Sequence, residues 1–272
     1  MIGQDNLIQN IDSLIESKTF PRFSIIVGSE GSGKKEITKH ISNEFGYIRA
    51  VYGISVDNIR QLISDAYKVT LPTVYVIADA DSMSPAAKNA LLKVTEEPPQ
   101  NAYFILTLTD LNNTLHTIRS RGTVFYMDPY SEFDIEHYYD AKYFQPGNDE
   151  CDIITAICST PGEVDKVVEM GTAEFYGYVE KVVDNIAVVS GSNSFKIAQK
   201  IKLKETDTDK YDLKLFLKAF MTICASRLRT DPLRYAEGIK VASKYLQELR
   251  ITGINKVSLF DMFILDIRKE WM

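Results

Sequence analysis

The sequence predicts an α/β domain built on a parallel five-stranded sheet, followed by a small helical domain and a larger helical one. In the first half, short apolar runs alternate with helix-period patterns, the signature of a parallel sheet with crossover helices. A glycine-rich segment, Gly28-Ser29-Glu30-Gly31-Ser32-Gly33-Lys34, joins the first apolar run to the first helical pattern. After Asp128-Pro129 the strand-like runs stop.

Strands are predicted at Phe23–Val27, Tyr47–Tyr52, Val74–Ala78, Tyr103–Thr109 and Thr123–Met127. Their near-continuous apolar character suits strands covered on both faces. Ile37, Ile41 and Phe45 recur at the spacing of one helix face, and Ile59, Leu62, Ile63 and Ala66 mark a second helix. Residues 130 to about 172 read as helical, broken at Thr160-Pro161-Gly162. From about 173 the pattern is helical nearly to the end. One apolar stripe holds Leu213, Leu215, Phe216, Phe220 and Ile223; another starts at Tyr245, Leu246 and Leu249; a third comprises Leu259, Met262, Phe263 and Ile267. The predicted domains are 1–129, 130–172 and 173–272.

Composition narrows the function classes. A 45% hydrophobic and 25% charged chain is ordinary for a globular protein. No stretch approaches the roughly 18 uninterrupted apolar residues that a membrane span needs, and Met1-Ile2-Gly3-Gln4-Asp5 is not a secretory start. A cytoplasmic protein without membrane contact is expected. The net charge of -6 argues against coating nucleic acid alone, which requires Lys and Arg to neutralise phosphates. Cys151, Cys158 and Cys224 are widely spaced and form no CxxC pair, so reduced structural thiols are expected and no zinc module. His40, His116 and His137 are equally scattered, and no metal site is predicted.

The Gly28–Lys34 segment fits the GxxxxGK frame of a phosphate-binding loop in its required strand–loop–helix setting. Gly28, Gly31 and Gly33 let backbone N–H groups curl around phosphate, and Lys34 would set an ammonium against the β- and γ-phosphates. A Ser or Thr hydroxyl that holds magnesium normally follows, but this chain has Lys35. An ammonium has no lone pair to give a cation and repels it. Downstream, Val74-Tyr75-Val76-Ile77-Ala78-Asp79-Ala80-Asp81 is an apolar strand ending in acids. Phosphoryl transfer uses one acid for magnesium and another to orient water. Either Ala78 stands for the metal acid and Asp79 for the base, or Asp79 is the metal acid and Ala80 stands for the base. Both registers lose a carboxylate.

The run Asp79-Ala80-Asp81-Ser82-Met83 through Asn89-Ala90-Leu91-Leu92-Lys93 to Glu96-Glu97-Pro98-Pro99 resembles the DEADxM…NALLKxxEEPP segment of bacterial clamp loaders, which are AAA+ ATPases. Ile59-Arg60-Gln61-Leu62 and Thr117-Ile118-Arg119-Ser120-Arg121-Gly122 resemble the family's IREL and TLRSRC segments, with Gly122 in place of Cys. Thr252-Gly253-Ile254-Asn255 with the apolar helix after it is similar to the end of delta-prime subunits. The resemblance aligns Leu108 with the polar nucleotide sensor, flanked by Thr107 and Thr109, and Gly162 with the sensing Arg of the lid. It also implies a zinc module that this chain lacks, since no Cys lies between Lys34 and Val74.

The resemblance implies a degenerate nucleotide site in a delta-prime-like clamp-loader subunit that does not hydrolyse ATP alone. ATP or ADP would be held weakly or as a static ligand, with magnesium binding impaired. Arg121 would act in trans on a neighbour's nucleotide as an arginine finger; Arg119 is the poorer candidate. The implied partners are motor and delta-type subunits, with the sliding clamp and primer-template DNA met through the complex. The alternative is an active AAA+ ATPase subunit that hydrolyses ATP at its own loop. Lys196, Lys200, Lys202 and Lys204 form a basic run that a solvated helix face explains better than DNA contact.

Overall fold

A computed structural model describes residues 2–143, 150–186, 200–202, 211–249, 251 and 253–271. They divide into two compact units, Met1–Ser131 and Glu132–Met272. The first unit is a parallel five-stranded sheet with strands β1 (Phe23–Val27), β2 (Ile48–Tyr52), β3 (Thr73–Ile77), β4 (Ala102–Leu108) and β5 (Thr123–Tyr126). The strand order is β2-β3-β4-β1-β5. Helices α1 (Asp5–Glu16), α2 (Lys34–Glu44), α3 (Val56–Ala66), α4 (Pro85–Glu96) and α5 (His116–Arg119) accompany it.

The apolar runs mark the sheet's interior. β1 and β3 are buried at every position, as parallel strands covered on both faces should be. The prediction of two-sided cover fails for the edge strands β2 and β5, where Ile48, Val51 and Tyr126 are exposed. An edge strand has one neighbour, and helices need not reach its outer side. Ile37 and Ile41 of α2 are buried as their spacing predicts. Phe45 lies one residue past the helix end and stacks on Tyr47, with ring centroids 4.2 Å apart. Ser84 caps α4 by accepting from the Ala87 N–H, with Pro85 in the first turn, where its missing N–H costs nothing.

The second unit contains α6 (Glu132–Tyr143), α7 (Cys151–Ile157), α8 (Pro161–Glu169), α9 (Thr172–Asn185), α10 (Leu213–Ser226), α11 (Pro232–Glu248) and α12 (Lys256–Trp271). Thr160-Pro161-Gly162 is a break that also starts a helix: the Thr160 hydroxyl caps α8, and Pro161 opens it. Leu213, Leu215, Phe216, Phe220 and Ile223 are all buried. They meet an aromatic cluster in which Phe220 packs edge-on to Phe263 at 5.3 Å and stacks with Trp271 at 5.7 Å. The predicted stripes on α10 and α12 therefore largely close on each other. Met262, expected in the α12 stripe, is instead 53% exposed, and Phe260 and Ile264 take the buried positions. Helices from residues 130–172 also pack on the later block. Thr222 donates to the Ala156 carbonyl, and Lys214 and Lys218 grip Glu163. A cut after residue 172 would strip Glu163 of both lysines, so the cleaner cut lies after Ser131.

Cys158 and Cys224 are buried and Cys151 half-buried, all unpaired. Burial pushes the Cys158 and Cys224 thiols up to about 12, which keeps them unreactive. Lys200 lies over the Tyr178 ring at 5.3 Å. Lys202 is in a short strand, while Lys196 and Lys204 lie outside the described residues.

Candidate functional site

The sheet's topology delivers the glycine-rich loop to its C-terminal edge. β1 ends at Val27, and the Gly28 N–H donates to the Leu108 carbonyl on β4 at 3.0 Å. Gly33 then starts α2 with φ at 90°, a left-handed conformation that glycine adopts without steric cost. Gly31 is also left-handed, at 75°. At Gly28 the need is space: an added Cβ would run into the Met127 side chain and lie 2.7 Å from Ser32 Oγ. Tyr130 pins the loop from the other side, its hydroxyl donating to the Ser32 carbonyl at 2.6 Å.

Lys34 is buried and folds back on the loop, donating to the Gly28 and Ser29 carbonyls at 2.7 and 2.9 Å. Burial lowers its pKa, opposed by the negative charges of Asp79, Asp81 and Glu30. Ser32 is 2% exposed, and its Oγ has no hydrogen-bond partner. An orphaned hydroxyl, a buried lysine and glycine-limited space are what a phosphate group would satisfy at a helix N-terminus.

Magnesium fits less well. Lys35 is exposed on the first turn of α2, at the position where a hydroxyl would ligate the metal. Asp79 is exposed and left-handed, with φ at 52°, and its N–H donates to Thr107 Oγ1 at 3.0 Å. Asp81 is committed elsewhere. It accepts from the Thr109 N–H at 2.8 Å, the Thr109 hydroxyl at 2.8 Å, the Asp110 N–H at 3.2 Å and Asn113 Nδ2 at 3.0 Å. Burial alone would raise the Asp81 pKa; the hydrogen bonds from Asn113, Thr109 and Asp110 outweigh it and hold the carboxyl below its ordinary value. Of the two acids that follow β3, Asp79 is the one whose carboxylate is not held by Thr109 and Asn113. The Leu108 side chain is fully buried and apolar, while the flanking threonines meet the Asp79 backbone N–H and the Asp81 carboxylate.

Arg121 lies at the opposite edge of the sheet. Thr123 pairs in register with Ser24, so Arg121 precedes the start of the β1–β5 ladder. At about 3.3 Å per residue, the four steps from Ser24 to Gly28 span roughly 13 Å. The guanidinium is held by the Thr117 carbonyl at 2.5 Å and by Glu96 at the end of α4, and the side chain is 30% exposed. It cannot serve its own loop. Arg119 reaches only Asn112 Oδ1, at 3.4 Å. Gly122 is closely packed, since a Cβ there would come within 2.9 Å of the Ile25 side chain.

Residues 42–131 match the family model described as DNA polymerase III, delta subunit. The chain is 38% identical over 104 residues to a DNA polymerase III subunit gamma of Buchnera aphidicola, covering 37% of this chain and 29% of that one. It is 39% identical over 83 residues to a DNA polymerase III subunit delta-prime of Yersinia pestis, covering 27% and 23%. This chain therefore spans less than a third of the length of those curated relatives. Its fold matches a DNA polymerase III gamma subunit-related protein of Thermotoga maritima with TM-score 0.54 and 16% identity, over 97% of this chain and 99% of that one. Over these stretches the chain is similar to bacterial DNA polymerase III clamp-loader subunits, the delta-prime subunit among them. Its fold is the α/β AAA+ fold with a helical C-terminal region.

Two features of this site escape sequence reasoning. Tyr130 gives no periodic signal, and its contact with the loop arises only because β5 runs beside β1. The Asp81–Thr109–Asn113 clamp joins residues 28 and 32 positions apart. Asp81 thereby closes the loop after β4.

Proposed function

We propose that this chain is a delta-prime-type ring subunit of a bacterial DNA polymerase III clamp loader, largely non-hydrolysing, which lends Arg121 to a neighbouring ATPase subunit. The observation that carries this reading is the placement of Arg121. An exposed arginine at the sheet edge opposite its own phosphate loop is available only to another subunit. A guanidinium set against a transferring γ-phosphate stabilises charge that develops in the transition state. The motifs around it support the role. Motor and delta-type subunits are the direct partners, and the sliding clamp and primer-template DNA are met through the complex. ATP or ADP is at most a static ligand of the loop, and the setting is cytoplasmic.

The loss of one acid and the replacement of the magnesium-side hydroxyl by Lys35 argue against turnover at this chain's own loop. The isolated protein is expected to release phosphate from ATP no faster than background. An active ATPase is favoured by one observation, the intact glycines and buried Lys34. Steady phosphate release that disappears in Lys34→Ala would establish that reading instead.

The second unit supplies the surface for lasting contact. Met262 and Leu265 lie three positions apart on α12, 53% and 61% exposed, while Phe263 and Ile267 fill the core. Residues three apart share a helix face, so the pair forms an apolar spot on the outside of the final helix. In a clamp-loader ring it would belong to the collar. The double variant Met262→Asp, Leu265→Asp is expected to keep its circular dichroism and melting temperature but to leave partner subunits on size-exclusion chromatography. Undiminished co-elution would move the collar contact to another face.

A further inference from the structure

The phosphate loop presents a mismatch that the degenerate site leaves unexplained. Its anion-binding parts are complete: Gly28 leaves room, Gly33 opens an eleven-residue helix, Lys34 is in place, and the buried Ser32 Oγ waits without a partner, facing across the loop toward Gly28. Its cation-binding parts are not, because Asp81 is consumed by Thr109 and Asn113 and the hydroxyl position carries an ammonium.

We infer that the loop binds a nucleoside polyphosphate without magnesium, with Lys35 supplying in place the positive charge that the metal ion normally brings. Lys35 stands in the first turn of α2, one residue after Lys34, and is exposed. A lysine stem is long and flexible, and its ammonium offers three donors. From that position its ammonium would supply positive charge to bound phosphate in place of a metal ion. Two lysines and a helix N-terminus then face a diphosphate carrying two to three negative charges, a near balance that an added divalent cation would upset. Magnesium must enter beside that ammonium, with Asp81 already held by Thr109 and Asn113, so it should weaken binding where ordinary phosphate loops require it. The inference deepens the static-ligand part of the function proposed above and does not involve Arg121.

The test is calorimetric titration of the full-length chain with ADP, in EDTA and in excess magnesium, with pyrophosphate as competitor. ADP is expected to bind in EDTA, pyrophosphate to displace it, and magnesium to weaken binding severalfold. Lys35→Thr restores the ordinary residue type at an exposed helical position and should fold normally. It is expected to lose roughly tenfold in EDTA, the scale of one charge-assisted contact, and to lose the penalty from magnesium. The inference is overturned by binding that requires magnesium, by a Lys35→Thr affinity in EDTA equal to the parent's, by failure of pyrophosphate to compete, or by no ADP binding at millimolar concentration in either condition. None of these results touches the role of Arg121, which is read from turnover by the complex.

Discussion

Arg121→Ala is expected to lower ATP turnover by the assembled loader while leaving the assembly intact. An arginine finger contributes roughly 10³–10⁵ to the rate at the site it serves. In the proposed ring the drop for the whole complex would be smaller, because sites served by other subunits would be unchanged. Stability should hardly change. In the isolated chain the guanidinium is tied to Glu96 and the Thr117 carbonyl at a partly exposed position, and such surface pairs contribute about 0–1 kcal/mol. The same modest figure means that Arg121 can leave Glu96 for a phosphate at little cost. Arg121→Lys should recover only part of the rate, since an ammonium keeps the charge but loses the two-pronged donor geometry. The measurement is steady-state hydrolysis with clamp and primed DNA present, alongside gel filtration. Parental turnover in the Arg121→Ala complex would remove the proposed role.

The second large effect concerns stability and pH. Glu163 is 4% exposed, yet its carboxylate faces two lysines. Lys214 contacts one carboxylate oxygen at 2.7 Å and Lys218 the other at 2.6 Å, and the Ser159 N–H adds a third partner at 2.8 Å. Burial on its own would raise the Glu163 pKa; the attraction of Lys218 and the contact with Lys214 outweigh it and leave the carboxyl below its ordinary value. Removing one partner of a buried ion pair costs about 3–5 kcal/mol. Lys214 and Lys218 retain some access to water, so Glu163→Gln is expected to cost about 2–3 kcal/mol. The sign with pH follows from the lowered pKa. The stabilisation is complete above the unfolded-state value, near 4.3, and is lost as pH falls through the folded-state value. Unfolding titrations at pH 7 and pH 3 should show the parent losing stability on acidification by more than Glu163→Gln does. Parallel losses in the two proteins would show that another group carries the acid sensitivity.

The sequence by itself determined the sheet. The five strands are four to seven residues long and mostly apolar, and α2 and α3 announce themselves by apolar periodicity. These are local signals, carried by residues within a turn or a strand of one another. The loop was equally readable, because its glycines and Lys34 are consecutive and lie between two such elements. The tertiary structure decided what the polar residues do. Asp79 and Asp81 look alike in the chain, but Asp81 meets Thr109 and Asn113 only because β3 lies beside β4. Arg121 is separated from its own loop by the length of β1, a fact that follows from the parallel pairing of β1 with β5 and from nothing in its immediate neighbours. On α12, Met262 and Phe263 are adjacent apolar residues, and only packing against α10 and α11 decides that Phe263 is buried and Met262 exposed. Hydrophobic burial is proportional to area and largely indifferent to partner, so it can be read from pattern. Hydrogen bonds and ion pairs are directional and act over a few ångströms, so their partners exist only once the chain has folded.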